Sequence, residues 1–192
     1  MATQAERSAS TRSAVVDAAR AQFAARGYEH VSVADILRAA GVSRGALYHH
    51  FAGKADVFAA VFVTVATDAI RAAARHIPRD ASSGTALRAG CLGWLDVVDD
   101  PAIGQILFVD APNALGWERA RALEELFSLG VVRRGIAAAI RAGELAPVPV
   151  DLAARMINAM LTEAALVVRQ GAAAPEEAAA VVSSLFDSLL RH

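Results

Sequence analysis

The polar stretch from Ser43 to Lys54 contains the side chains best suited to contact a polyanion. Arg44 carries a planar guanidinium that can bind a phosphate or reach a guanine edge. Lys54, the only lysine in the chain, is predicted to begin a helix, where its charge and the helix dipole both favour a phosphate. The hydrogen-bonding rings between them are Tyr48, His49 and His50. This combination predicts a nucleic-acid contact.

Small and capping residues surround these donors. Gly45 and Ala46 add no bulk, so the start of their helix can approach a duplex closely. A glycine inside a helix costs about 1 kcal/mol relative to alanine, which favours a close-approach role for Gly45. Ser32 and Ser43 are interpreted first as helix caps and second as phosphate contacts.

The elements that must position these side chains are three short helices. Apolar residues recur at helical spacing over Thr11–Arg26, and Gly27 follows as a stop signal. A second helix is predicted to begin at the capping-box variant Ser32–Asp35 and to end at Gly41. A third helix follows Ser43 after a tight connection. Two helices joined in this way have the layout of a DNA-binding helix-turn-helix.

An ordered string of core, capping and exposed positions runs through the same region, at Phe23–Tyr28, Ser32–Ile36, Ala40–Phe51 and Lys54. This string closely resembles the N-terminal domain of the tetracycline-repressor (TetR) family of transcriptional regulators. The resemblance covers about a quarter of the chain and implies that Tyr48 and His49 contact phosphates or bases. Gly53 and Ala55 depart from the family pattern, which more often has a polar capping residue and an acidic one there.

The remainder of the chain also has helical periodicity, and we predict an all-α protein of about nine helices. Residues 1–54 are predicted to form the DNA-binding domain and residues 55–192 a ligand-binding and dimerisation domain. The predicted helices after the third span about Lys54 or Ala55 to Arg75, Thr85–Val98, Pro101–Val109, Gly116–Ala142, Val150–Arg169 and Glu176–Arg191. Loops are predicted over Pro78–Thr85, over Asp110–Trp117 as a short turn, at Pro147–Pro149 and over Gly171–Pro175.

A small-molecule site is predicted in the second domain from bulky apolar residues and from polar residues flanked by them. The candidate ligand contacts are Phe62, Cys91, Leu95, Phe108, Asp110, Asn113, Trp117, Met156, Met160 and Glu163. The apolar members are equally typical of an ordinary core. Asp110 and Asn113 are also compatible with turn residues beside Pro112, whereas a buried polar side chain there needs a partner or a ligand.

Composition excludes several other classes of protein. The chain has 192 residues, is 55% hydrophobic and has a net charge of −1, and its longest uncharged stretch, Val57–Thr67, is too short for a membrane span. Residues 1–54 carry seven basic and four acidic side chains, whereas the acidic excess lies in the rest of the chain. Cys91 is the only cysteine, and Met1–Ala14 has no apolar signal core. We therefore predict a soluble cytoplasmic protein that binds no membrane.

The sequence predicts neither an enzyme nor a metal or cofactor site. No Gly-x-Ser-x-Gly elbow, phosphate-binding glycine loop or Glu-x-x-His pair is present. His49 and His50 diverge by about 100° on a helix and cannot converge on one ion without other ligands.

The function predicted from these features is ligand-responsive transcriptional regulation. By family analogy, the expected protein is a repressor that binds a palindromic DNA operator as a homodimer through its last two helices. A small, mainly apolar molecule is expected to release it. The alternative is a helical small-molecule sensor whose head does not recognise DNA specifically, and an enzyme that uses the body cavity is a remote third possibility.

Overall fold

The computed structural model describes residues 3–190, and within that range the predicted all-α class is confirmed. These residues contain nine helices when segments that follow one another without a break are counted as one helix. The α-helical segments are α1 Gln4–Arg26, α2 Val33–Ala40, α3 Arg44–His50, α4 Lys54–Ala74, α5 Ser83–Val98, α6 Pro101–Gly104, α7 Ala111–Leu115, α8 Trp117–Glu124, α9 Gly130–Arg141, α10 Val150–Arg169 and α11 Pro175–Leu189. Two π-helical segments, Gln105–Asp110 and Glu125–Leu129, join α6 to α7 and α8 to α9. Arg191, predicted as the last helical residue, lies outside the described residues.

The chain forms two compact units. Unit 1 combines the residues up to Val65 with Pro101–Arg121, and unit 2 combines Ala66–Asp100 with the residues from Ala122 onward. The first unit therefore includes a segment that the sequence placed in the second domain. The functional division after residue 54 stays a prediction.

The first helix begins earlier than its periodicity indicates. The predicted start was Thr11, but α1 starts at Gln4, because Thr3 and Glu6 form a capping box. The Thr3 backbone N–H donates to the Glu6 carboxylate at 2.6 Å, and the Thr3 hydroxyl accepts from the Glu6 N–H at 3.2 Å. These bonds satisfy amide groups that a helix start otherwise leaves without partners.

The second helix is capped as its sequence predicts. The Ser32 hydroxyl accepts from the Asp35 N–H at 3.1 Å and donates to the Asp35 carboxylate at 2.7 Å, and the Ser32 N–H donates to the same carboxylate. These bonds, the Ser32 hydroxyl first, lower the pKa of Asp35 to about 2. A lowered pKa means that this carboxylate favours the folded state above a pH of about 4, and that its contribution is lost as the pH falls towards 2.

Replacing Ser32 with alanine is expected to lower the free energy of unfolding by about 1 kcal/mol, because α2 loses its capping hydroxyl. Urea unfolding followed by circular dichroism measures this change. The matched control is Ser10→Ala, since Ser10 is exposed in the interior of α1, where alanine is the better helix former. Equal stability of the two variants would contradict the capping role.

The segment after α5 contains more helix than the sequence predicts. The predicted turn over Asp110–Trp117 is instead the end of a π-helical segment followed by α7, and only Gly116, at φ +73°, breaks the helix. Pro112, the second residue of α7, does not interrupt the helix, which continues to Leu115. Asp110 is therefore not a turn residue.

Unit 1 is built around aromatic and aliphatic side chains from α1 to α4. Phe23, Ile36, Leu47 and Phe58 are fully buried, and the Phe23 and Phe58 rings lie 5.3 Å apart. Because all four helices contribute to this core, it holds α2 and α3 in fixed positions beside α1.

Unit 2 has its own core, formed mainly by α5, α9, α10 and α11. Helices α5 and α9 approach closely at Gly135, where an added Cβ would lie 2.8 Å from the Leu87 side chain. Ile136, Ala139 and Phe186 are buried in this core.

Helix α4 is long and apolar enough to cross a membrane by length and composition alone. Of its most apolar stretch of 18 residues, 56% is buried inside the protein, as is typical of a core helix.

Candidate nucleic-acid interface and apolar cavity

Helix α3 separates a core face from an exposed polar face. Leu47 and Phe51 are buried, whereas Arg44 and His49 are exposed and Tyr48 keeps 47% of its surface accessible. The same helical spacing that buries Leu47 and Phe51 thus turns Arg44, Tyr48 and His49 outward.

The start of α3 is fixed by the turn that precedes it. Gly41 ends α2 in the left-handed region at φ +65°, and the Ser43 hydroxyl accepts from the Ala46 N–H at 3.2 Å. Ser32, Ser43 and Gly45 are exposed, whereas Ala46 and His50 are half-buried. Of the predicted DNA-facing residues of α3, Arg44, Gly45, Tyr48 and His49 are therefore the accessible ones.

The first turns of α1 lie beside α3, although helical periodicity predicts no helix before Thr11. Arg7, Ser8 and Thr11 line a groove together with His49 and His50 of α3. The Arg12 guanidinium lies 5.3 Å from the centre of the Phe51 ring. The capping pair Thr3 and Glu6 was the available signal, since it predicts a helix that begins early enough to reach α3.

Lys54 has a role that its sequence position does not reveal. Its Nζ donates to the Tyr28 carbonyl at 3.0 Å and lies 3.9 Å from the centre of the Tyr28 ring. Burial, followed by the nearby Glu29 charge, raises the pKa of Tyr28, so its hydroxyl stays protonated. Lys54 therefore ties the start of α4 to the connection between α1 and α2, and its contact with DNA stays a prediction.

An apolar cavity of about 330 Å³ lies inside unit 2. Its wall comes from α4, α5, the second π-helical segment, α9 and α10, with Ile70, Leu87, Trp94, Val132 and Leu161 among the larger residues. The polar side chains in the wall are Ser83, Ser128 and Asn158, and none of the described lining residues is charged. Asn158 donates its amide N–H to Glu124 at 2.6 Å.

Of the ten predicted ligand contacts, Cys91 lines this cavity. Burial raises the pKa of its thiol to about 12, so the thiol is protonated at neutral pH. Leu95 packs against the unit 2 core and borders a smaller pocket beside Asp96 and Asp99. Met160 also packs against the core, whereas Met156 and Glu163 are exposed.

The other predicted contacts belong to unit 1. Phe62 is buried and Phe108 half-buried, whereas Trp117 is 70% exposed. Asn113 is exposed and donates to the Val109 carbonyl at 3.4 Å. The ten residues are thus divided between the two units, and their contact with a ligand stays a prediction.

Asp110 is the one buried acidic or basic residue of the part of the chain that the structure describes. Its carboxylate accepts from the Tyr28 N–H and from the Gln105 amide, both at 2.9 Å. Burial raises the pKa of Asp110, and the two hydrogen bonds partly offset this effect. Between residues 3 and 190 no three His, Cys, Asp or Glu side chains gather as a metal site.

An exposed basic and aromatic helix held against its predecessor by a glycine turn defines a helix-turn-helix DNA-binding protein. The family model described as bacterial regulatory proteins, tetR family, matches residues 15–61, and the one described as tetracyclin repressor-like, C-terminal domain, matches residues 84–192. The chain therefore belongs to the TetR family and is a transcriptional regulator, not an enzyme.

Individual relatives agree with this assignment. The chain is 44% identical over 54 residues to the HTH-type transcriptional regulator SrpR of Pseudomonas putida and 46% identical over 61 residues to the A-factor receptor protein of Streptomyces griseus. These matches cover 28% and 32% of this chain but only 25% and 22% of the two relatives. Each match thus covers only about a quarter to a third of this chain and about a quarter of the relative.

Solved structures extend the similarity to the whole fold. A TetR-family transcriptional regulator from Pectobacterium atrosepticum superposes with a TM-score of 0.83 at 28% identity, covering 100% of this chain and 99% of that protein. TylP, a TetR regulator from Streptomyces fradiae, superposes with a TM-score of 0.68 at 27% identity, covering 97% and 89%.

Proposed function

We propose that this protein is a cytoplasmic, dimeric repressor that binds a palindromic operator and is released from it by a small, uncharged, mainly apolar molecule. The observation that carries ligand response is the apolar cavity in unit 2 of a chain that also contains a helix-turn-helix. Its volume of about 330 Å³ lies at the lower end of the range of small-molecule sites.

The cavity wall restricts the charge of its ligand. A carboxylate or ammonium group moved from water into an apolar site needs an opposite charge to offset the loss of hydration. The described wall supplies no such charge, and its polar side chains, such as Ser128 and Asn158, can serve a neutral hydroxyl or carbonyl. An uncharged ligand with one hydrogen-bonding group therefore fits best.

Helix α4 supplies a connection between ligand and DNA. Lys54 is the first residue of α4. Near its other end, the cavity is lined by Ile70, Ala73 and Ala74. A ligand shifts DNA affinity only if it binds two conformations unequally, and a preference of about 1.4 kcal/mol per site changes the equilibrium tenfold. Displacement of the cavity end of α4 is the expected source of that preference.

Dimerisation is proposed through α10 and α11, whose outer faces remain apolar. Leu152 and Met156 on α10 are 57% and 65% exposed, and Val181, Leu185 and Leu189 on α11 are also exposed. Each set repeats at a spacing of four residues, so each forms one stripe on its helix. Val182 and Phe186, on the other side of α11, are buried in the unit 2 core.

DNA recognition is tested by sequencing the genomic fragments that the purified protein retains. A palindromic sequence shared by these fragments is the expected result. Retention of fragments without a common sequence would favour the alternative, a helical sensor without specific DNA recognition.

Ligand response is tested with Trp117→Phe, which leaves Trp94 as the only tryptophan, inside the cavity wall. Decanol is expected to change Trp94 fluorescence and to release operator DNA over the same concentration range, whereas decanoate and decylammonium are expected to do neither. The three probes share one chain length and differ in charge.

The control variant is Ala138→Leu in the same background, which narrows the cavity without adding charge. It is expected to lose the fluorescence response and to keep DNA binding. Equal responses to all three probes, or an undiminished response in Ala138→Leu, would place the ligand elsewhere.

A further inference from the structure

Asp110 makes contacts that neither capping nor ligand binding accounts for. It precedes α7, but its side chain makes no capping hydrogen bond to that helix. One carboxylate oxygen instead accepts from the Tyr28 N–H, across 82 residues of chain, and the other accepts from Gln105. Its exposure is only 5%. An ionisable group buried to this degree costs free energy unless it is well paired. One of its partners, Gln105, lies in the same π-helical segment, whereas the other, Tyr28, lies on the connection between α1 and α2.

Tyr28 is held from both sides of its backbone. Asp110 accepts from its N–H, and Lys54 donates to its carbonyl oxygen at 3.0 Å. Its ring packs against Phe23 and Phe58 at centroid distances of 5.6 and 5.2 Å. Gly27, at φ +75°, makes the sharp exit from α1 that places the Tyr28 N–H beside Asp110.

Tyr28 opens the short connection that leads from α1 into α2 and, through the glycine turn, into α3. A shift of Tyr28 relative to Lys54 therefore changes the position of α2 and α3 relative to the start of α4. The Pro101–Arg121 part of unit 1, which contains Asp110, also contacts α4 directly, because Arg119 donates to the Asp56 carboxylate at 2.8 Å. Asp56 in turn accepts from the Ala52 N–H just before α4.

We propose that Asp110 is a positioning residue for DNA binding: by holding the Tyr28 N–H it fixes the Tyr28 carbonyl as the acceptor for Lys54, and so sets the orientation of the helix-turn-helix on α4. The residue touches no DNA itself. Its removal leaves the Tyr28 N–H and the Gln105 amide without their acceptor, so the connection between α1 and α2 is no longer held at Tyr28.

The first test compares Asp110→Ala with Asp110→Asn by fluorescence anisotropy on labelled operator DNA, at a temperature where circular dichroism shows both variants to be folded. Asp110→Ala is expected to weaken binding about tenfold. Asp110→Asn retains a carbonyl oxygen that can accept from Tyr28 and is expected to restore most of the affinity. Glu118→Ala controls for the lost negative charge, since Glu118 is an exposed acid of the same segment.

The second test is a double-mutant cycle with Lys54→Ala. If Asp110 acts through Tyr28 and Lys54, Asp110→Ala is expected to lose most of its effect once Lys54 is absent. A residue that merely stabilises the fold changes the melting temperature but produces no such coupling in the DNA affinity.

Three outcomes would overturn the proposal: Asp110→Ala binding operator as Glu118→Ala does, Asp110→Asn binding as weakly as Asp110→Ala, or additive effects of Asp110→Ala and Lys54→Ala. If Asp110→Ala is unfolded at the assay temperature, Gln105→Leu replaces it. That variant removes one partner of the carboxylate and is expected to weaken binding about threefold, and wild-type affinity would equally overturn the proposal.

Discussion

A variant carrying Met156→Glu and Leu185→Glu is expected to be a monomer and to bind operator DNA at least about a hundredfold more weakly than the wild type. Both side chains lie on the exposed apolar stripes of α10 and α11. A two-fold interface repeats each glutamate on the partner, so four charges would enter a surface that buries apolar side chains. The loss is large because a dimer presents two recognition helices about 34 Å apart, whereas a monomer contacts one half-site alone.

Light scattering at micromolar concentration measures the mass directly, and a monomer has the chain mass of 20.0 kDa. The matched control carries Leu126→Glu and Val148→Glu, two exposed apolar positions outside the stripes of α10 and α11. This control is expected to remain dimeric and to bind operator with nearly wild-type affinity. A dimeric Met156→Glu, Leu185→Glu variant, or a monomeric wild type, would refute the proposed interface.

Substitutions on the exposed face of α3 are expected to weaken DNA binding without changing the fold or the dimer. Tyr48→Ala removes a half-exposed ring and hydroxyl, and loss of one phosphate contact flattens the slope of log affinity against log salt by about 0.9. Tyr48→Phe separates the hydroxyl from the ring. If Arg44 binds a guanine edge, Arg44→Ala is expected to lower the operator affinity about 5- to 150-fold and to relax the preference at one base pair.

Arg79→Ala is the charge-matched control for Arg44→Ala, because Arg79 lies in the exposed loop between α4 and α5. It is expected to change neither the operator affinity nor the base preference. Binding titrations at several salt concentrations on operator and mutated operator distinguish the two variants. If both Arg44→Ala and Tyr48→Ala bind operator DNA as the wild type does, the proposed contact between α3 and DNA is wrong.

The sequence alone predicted the helix-turn-helix because the interactions that specify it are local. The Ser32 and Ser43 caps join groups three residues apart, and Leu47 and Phe51 lie one helical turn apart. Such contacts form within a single helix or turn, so the residue types and their spacing contain the information. The residues from 23 to 54 therefore identified both the class of protein and its exposed polar face.

The candidate ligand site could not be predicted in the same way. Spacing assigned Cys91 and Met156 to apolar helix faces and Trp117 to the end of a turn, but burial depends on which faces meet. Cys91 lines a cavity formed by several helices, whereas Met156 and Trp117 are more than 60% exposed. The outward stripe on α10 is equally apolar, and nothing along one helix distinguishes a face that covers a core from one left open.

Asp110 gives the clearest contrast. Its sequence context left three alternatives open: an exposed turn residue beside Pro112, a side chain with an internal partner, or a ligand contact. Only the fold brings it to Tyr28, across 82 residues of chain, and into a hydrogen bond with that backbone. The sequence determined the caps, the helical faces and the class of protein, because these depend on neighbours within a turn or two. The tertiary structure decided the cavity wall, the open stripes of α10 and α11 and the partner of Asp110, because these depend on how distant helices pack.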